Sequence, residues 1–318
     1  MVTRAKRRLA ATLATTVALA CAEIPVAGAT YRTEPRTLVV GLWRPDSLPY
    51  PDEGDSDLWL LAPDGTPVRR LTHTPHRDEQ HPRWAPTGRR IVFAAGRYES
   101  CEVYSIRPDG TGKRRMTSDA AVDGEPTWSP DGRWIAWIHT RARTSIDELW
   151  MMRADGSDRH RVPVHVPSFT FESPMWSPDG STLAMSIFLD RNHQFDIFHF
   201  RPNGSGLERL TRTARSEVLM DWSPSGRRLL VSRARTPFIY DDPDALITLH
   251  ADGSDARRVI PDAFFLDGRY TSDGRSAYLT EPRGGGWTRL ARARLPSGSP
   301  RTLLSIEGHV ITSDFSCG

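Results

Sequence analysis

The chain has 318 residues, with 42 Lys and Arg against 39 Asp and Glu, and it carries 25 Pro and 24 Gly. That length allows a large buried core, and the abundance of Pro and Gly favours many reversals over long helices. Setting aside Arg4, Lys6, Arg7 and Arg8 turns the net charge from +3 to −1, so the excess basicity belongs to the N-terminus and is no nucleic-acid footprint.

Those four basic residues precede a weakly apolar stretch, Leu9 to Ala22, too short for a comfortable membrane span and patterned as an export signal. Ala18-Leu19-Ala20 and Ala27-Gly28-Ala29 are its candidate cleavage sites. Residues 1–29 are therefore assigned to a leader with a short linker and 30–318 to one domain, secreted or held at the cell envelope. Cys21 follows a lipoprotein-like box with Ala18 where Leu is expected, which makes it a candidate for lipidation and the sole expected tie to a membrane. Arg7-Arg8 also fits a twin-arginine route.

Strands are expected near Leu38 to Trp43, Asp57 to Ala62 and Val68 to Leu71, the last two joined by an Asp64-Gly65 turn. From there one signature recurs: Trp84 (WAPTG), Trp128 and Trp176 (both WSPDG), Trp222 (WSPSG), Tyr270 (YTSDG) and a truncated copy at Phe315, spaced 44, 48, 46, 48 and 45 residues apart. Each copy leads into an apolar run such as Trp134-Ile135-Ala136-Trp137-Ile138, then a third strand such as Glu102-Val103-Tyr104-Ser105-Ile106. A second turn follows, at Asp109-Gly110, Asp155-Gly156, Asn203-Gly204, Asp252-Gly253 and, more weakly, Ser297-Gly298. A fourth strand closes the unit, often on Arg-Leu-Thr.

A period near 46 residues with four strands per unit is that of propeller blades. The first Asp-Gly turn has no aromatic copy before it, and the Phe315 copy has no strands after it. Placing Val310 to Phe315 as the innermost strand beside Leu38 to Trp43 repairs both defects and removes free sheet edges. The expected fold is all-β: a six-bladed propeller of four-stranded antiparallel blades, closed by N- and C-terminal strands sharing one blade. An open solenoid would have capped end units instead. Trp84, Trp128, Trp176, Trp222, Tyr270 and Phe315 hold one position per unit, which marks them for burial between sheets.

The three cysteines, Cys21, Cys101 and Cys317, have no metal-ligand spacing. In the inferred ring Cys101 and Cys317 lie at opposite ends of their blades, so both are expected as free thiols. No nucleophile elbow, HExxH helix, phosphate loop or dinucleotide fingerprint is present. The repeated turn aspartates read as structural, and no cofactor is expected.

Segments leading into the innermost strands carry Asp78, Glu79, Asp123, Glu125, Glu172, Glu217, Asp221 and Asp267. In a six-fold ring these gather at one channel mouth, where carboxylates suit a cationic or amide-rich segment. The loops between second and third strands open on that face, with Phe238 and Tyr240 as aromatic contacts in one of them. The expected partner is a protein or peptide of the cell envelope, bound by a monomer. The WSPDG turns, apolar second strands and closing Arg-Leu-Thr resemble the PD40/WD40-like repeats of the TolB-like propeller family over roughly residues 36 to 318. The resemblance implies a non-catalytic propeller outside the cytoplasm that uses its channel mouth for protein interaction. No counterpart of the N-terminal α/β domain of TolB is evident, which argues against a role in the Tol–Pal system. Propellers among polysaccharide lyases supply the rival expectation, a metal-assisted carbohydrate enzyme using His76, His81, His193 and nearby acids.

Overall fold

In a computed structural model, residues 19–21, 37–43, 56–75, 77–97, 100–142, 144, 146–165, 170–189, 193–235, 243–263, 265, 267–283, 287–296 and 299–307 are described. They form six four-stranded antiparallel sheets. The first contains β1 (Leu19–Cys21), β2 (Leu38–Trp43), β3 (Ser56–Leu61) and β4 (Pro67–Arg70). The second contains β5 (Asp78–Trp84), β6 (Ile91–Gly96), β7 (Glu102–Ile106) and β8 (Arg114–Arg115). Next come β9 (Val122–Trp128), β10 (Trp134–Thr140), β11 (Asp147–Arg153) and β12 (His160–Arg161). The fourth holds β13 (Phe171–Trp176), β14 (Leu183–Leu189), β15 (Gln194–Phe200) and β16 (Glu208–Arg209). The fifth holds β17 (Ser216–Trp222), β18 (Arg228–Ala234), β19 (Pro243–His250) and β20 (Arg257–Pro261). The sixth consists of β21 (Asp267–Tyr270), β22 (Ser276–Arg283), β23 (Trp287–Arg294) and β24 (Arg301–Glu307). Each sheet runs in chain order from its first strand to its fourth.

The six first strands touch in a circle: β1 meets β5, β5 meets β9, and so on to β21, which returns to β1. That is a six-bladed propeller. Its innermost position in blade one is held by β1, which pairs with β2 over Leu38 to Val40, while β3 covers β2 from Leu38 to Trp43. Val310 to Phe315, expected at that position from the repeat, lie outside the described residues, as do Cys317 and the Ser297-Gly298 turn.

The blades adhere because their middle strands are apolar on both faces. In β6, Ile91, Phe93 and Ala95 pack towards blade one against Val39, Leu58 and Leu60. Val92, one residue out of phase, packs towards blade three with Trp128, Ile135, Trp137 and Met152. The two-residue period of a strand makes this two-sided burial possible. Equivalent clusters lie between the later blades, and Leu38, Val40 and Leu61 meet Tyr278 and Leu290 across the blade-six to blade-one contact. Trp84, Trp128, Trp176, Trp222 and Tyr270 all pack within these inter-blade clusters.

The Asp-Gly and Asn-Gly turns hold Gly65, Gly110, Gly156, Gly204 and Gly253 at φ between 83° and 89°, where a side chain would be strained. One expectation needs correction. Cys101 is fully buried at the start of the third strand of blade two and is disulfide-bonded, not a free thiol. Isolated cysteines carry no spacing signature, and pairing depends on an approach of Cα atoms that tertiary structure alone sets.

Candidate functional site

The acidic residues singled out from the sequence divide into two groups. The first is consumed by contacts at the ends of the blades. Glu79 is fully buried, accepts hydrogen bonds from the hydroxyls of Thr72 and Thr74, and pairs with Lys113 Nζ at 2.7 Å. Asp78 accepts a hydrogen bond from Ser56 Oγ at 3.2 Å. Asp123, also fully buried, accepts from Trp137 Nε1 at 2.8 Å, meets His139 Nδ1 at 2.7 Å and lies 3.4 Å from Arg159. Glu217 accepts from Thr213 Oγ1 at 3.1 Å, and burial pushes its carboxyl above the usual range.

These residues adjoin a repeated brace that the sequence reading missed. In blades one to five an acid at the start of the third strand pairs with the arginine of the fourth: Asp57 with Arg70, Glu102 with Arg115, Glu148 with Arg161, Asp196 with Arg209 and Asp244 with Arg258. The threonine of Arg-Leu-Thr completes it. Leu58 N–H donates to Thr72 Oγ1 at 2.9 Å, Val103 N–H to Thr117 Oγ1 at 2.9 Å and Ile197 N–H to Thr211 Oγ1 at 3.0 Å. A signal for it exists in the recurring acid-apolar pair Asp57-Leu58, Glu102-Val103, Glu148-Leu149 and Asp196-Ile197.

The second group faces the axis. Glu125, Glu172, Asp221 and Asp267 belong to the innermost strands of four successive blades, β9, β13, β17 and β21. Bulges distort β9, β13 and β17 and also β5 of blade two, and His81, Glu125 and Ser173 adopt φ of 51° to 55°, each three residues before the repeated Trp. Such bulges re-aim side chains out of the ladder. Glu125 Oε2 accepts the Ser173 N–H of the next blade, and Asp221 Oδ2 accepts the Tyr270 N–H at 2.8 Å, so neighbouring blades are tied at the throat.

Arg83, from blade two, is the unanticipated member. Its Nη1 lies 3.9 Å from Asp267 Oδ2, and its charge is felt at Glu125 and Asp221. Asp267 is held more closely by Arg269 Nη1 at 2.8 Å, and Arg269 also donates to the Met220 and Gly268 carbonyls. Burial pushes the carboxyls of Glu125 and Asp221 up to about 7, with Arg83 opposing the shift. Glu172 is raised well above its ordinary range, first by burial and then by the neighbouring charge of Glu125. Burial, aided by Arg83, lowers His81 to about 3, so this ring is neutral at ordinary pH. The throat can therefore take up protons near neutrality or receive a cation, and Arg83 is the competitor for that cation.

Asp119, Asp123 and His139 bring potential metal-ligand atoms within 4.8 Å of one another, the sole such group among the described residues. Arg159 already bridges both aspartates and stacks over Trp137 and Trp150, so the chain supplies its own cation there. His81 and His193 do not enter that group. His76, Phe238 and Tyr240 lie outside the described residues.

A ring of six bladed sheets with an acidic throat defines the class as an axial-channel propeller. The family model "PD40: TolB beta propeller domain" matches residues 53–261, more than half of the chain, and the chain belongs to that family. It is 29% identical to Atu1656 of Agrobacterium fabrum over 145 residues, 46% of each chain. It is 31% identical to the Tol-Pal system protein TolB of Anaeromyxobacter dehalogenans over 114 residues, 36% of this chain and 25% of that one. The match thus spans less than half the length of either relative. The crystal structure of TolB from Acinetobacter baumannii superposes with a TM-score of 0.66 at 15% identity, over 80% of this chain and 60% of that chain, a likeness of fold alone.

Proposed function

We propose that this chain is an exported, non-catalytic binding propeller that docks a basic segment of a cell-envelope protein or peptide at the mouth of its channel. The observation that carries the reading is the convergence of Glu125, Glu172, Asp221 and Asp267 from four blades on a throat where Arg269 holds Asp267 at 2.8 Å while Arg83 sits 3.9 Å from its nearest carboxylate oxygen. That spacing is loose for a charge-assisted hydrogen bond. An incoming ammonium or guanidinium group would compete with Arg83 for these carboxylates. Membership of the TolB propeller family supports a protein partner.

The reading includes the leader. Residues 1–29 direct export, Cys21 is the candidate lipid attachment point, and 30–318 form the single working domain. Leu19–Cys21 lies within that leader. Once the leader is removed, Val310 to Phe315 take its place against β2 and close the ring with strands from both ends of the chain. The support is that β1 covers three of the six residues of β2.

The test uses a fluorescein-labelled oligo-lysine peptide and anisotropy at low salt. The variant Glu125→Gln/Glu172→Gln/Asp221→Asn is expected to weaken binding about tenfold, ~1.4 kcal/mol. Glu217→Gln, whose carboxylate is occupied by Thr213, is expected to leave binding unchanged. Equal affinity in the triple variant and the parent would remove the throat as the docking site.

A further inference from the structure

The turn face, opposite the loop-bearing mouth, carries a second concavity that the docking reading does not use. It lies between blades two and three, has a volume of about 290 Å³, and is lined by Ala85, Thr87, Arg89, Arg90, Arg107, Trp128, Gly132 and Ala154. That volume is near the lower end for small-molecule sites, ~300 Å³. Its lining holds three arginines and no carboxylate.

The reason is a local departure from the repeat. In blades three, four and six the turn after the aromatic has a hydroxyl and then an acid: Ser129 and Asp131, Ser177 and Asp179, Thr271 and Asp273. Each hydroxyl donates to its acid at 2.6 Å, and that acid accepts a backbone N–H two residues on. Blade two has Ala85 and Thr87 at these positions, so the Arg89 N–H meets the Thr87 hydroxyl at 3.4 Å and the turn carries no carboxylate. Among the described residues, Arg89, Arg90 and Arg107 make no ion pair.

Arg90 Nη1 donates to Ser105 Oγ at 2.8 Å and to the Gly112 carbonyl at 3.3 Å, and Arg107 Nη1 donates to Thr111 Oγ1 at 3.4 Å, all neutral acceptors. Asp109 feels the charge of Arg107 but is bound by Thr111, and Asp131 on the facing turn is engaged by Ser129 and Arg133. Trp128 is 8% exposed and supplies an apolar wall of the pocket; its buried, unpartnered Nε1–H is shared by Trp84, Trp176 and Trp222 and belongs to the repeat. Uncompensated guanidinium groups beside this wall supply the planar, multi-donor chemistry that recognises oxyanions.

We infer that this pocket binds a small oxyanion, a phosphate or carboxylate group, gripped by Arg89 and Arg107 beside the wall that Trp128 forms. Blade five also lacks the acid, at Ser225, but its Arg228 is paired with Asp255 at 2.9 Å; blade two leaves its arginines unpaired, and an acid at position 87 would neutralise them and compete with the ligand.

The experiment is calorimetric titration of the full chain with inorganic phosphate and, separately, with succinate, at ionic strength held constant with sodium chloride. Saturable binding of either probe is expected, and the tighter of the two identifies a phosphate or a carboxylate as the recognised group. Arg89→Gln/Arg107→Gln and Thr87→Asp should each weaken it at least tenfold. Arg212→Gln, exposed on another blade, should bind like the parent. The substituted arginines and Thr87 are exposed, so folding is expected to survive, which circular dichroism would verify. Absence of saturable binding for both probes, or equal binding by the parent and the Arg89/Arg107 and Thr87 variants, would overturn the assignment.

Discussion

Replacing Arg83 with methionine removes the looser of the two cations at the throat while keeping most of the side chain's bulk. At an effective dielectric near 20, a charge pair about 4 Å apart is worth ~4 kcal/mol. Arg83 stands 3.9 Å from Asp267, so that figure is an upper bound for this pair. Arg269 still compensates Asp267 at 2.8 Å, and Glu125 and Asp221 can escape repulsion by taking up protons. The net loss should be about 2–4 kcal/mol at pH 8.5 and about 1 kcal/mol at pH 5.5. The sign follows from linkage. Glu125 and Asp221 have folded values near 7, above their ordinary 4.5 and 3.8, so the folded chain holds protons that the unfolded chain has released across that window. Stability therefore falls as pH rises from about 4 towards about 7. Without Arg83 the folded values rise further, which extends the decline to higher pH. Urea denaturation at both pH values is the assay, since guanidinium would screen the charges. An equal loss at pH 5.5 and 8.5 would refute the reasoning.

Other perturbations address the scaffold. Thr117→Val should cost about 2–4 kcal/mol, because Val103 N–H and Glu102 both lose a buried partner, whereas exposed Thr111→Val should stay within ~0.5 kcal/mol; urea titration separates them. Cys101→Ala should lower the melting temperature and abolish its sensitivity to reductant, with a loss of ~2–5 kcal/mol; a parent whose melting ignores reductant would contradict the cross-link. Ser173→Gly should be neutral to stabilising by up to ~1 kcal/mol, because φ of 55° suits glycine and the bond from its N–H to Glu125 persists, while Ser173→Val should destabilise.

Much of the ring was written in local chemistry. Leu38–Trp43 and Glu102–Ile106 are strands with the bounds their apolar runs suggest, and the Asp-Gly turns sit where the reversals require positive φ. Such features need only neighbours in sequence. The site was less legible, because it depends on side chains meeting across blades. Glu79, Asp123 and Glu217 looked like mouth residues by position, yet threonines, a lysine and a histidine far along the chain or on neighbouring strands engage them. Arg83 looked like any strand arginine, and nothing local distinguishes one that crosses a channel to Asp267 from one that meets solvent. The arginine brace was readable in principle, from the acid that opens the third strand in five blades, but its partner lies about a dozen residues later and the pairing needs the sheet.

The most direct measurement of the docking claim compares the affinity of one labelled basic peptide for the parent, for Arg83→Met and for Glu125→Gln/Glu172→Gln/Asp221→Asn, all at pH 8 and low salt. Opposite responses are expected: tighter binding when the resident cation is gone and weaker binding when the carboxylates are neutral. Affinities that agree across all three chains would contradict the throat as the place of recognition.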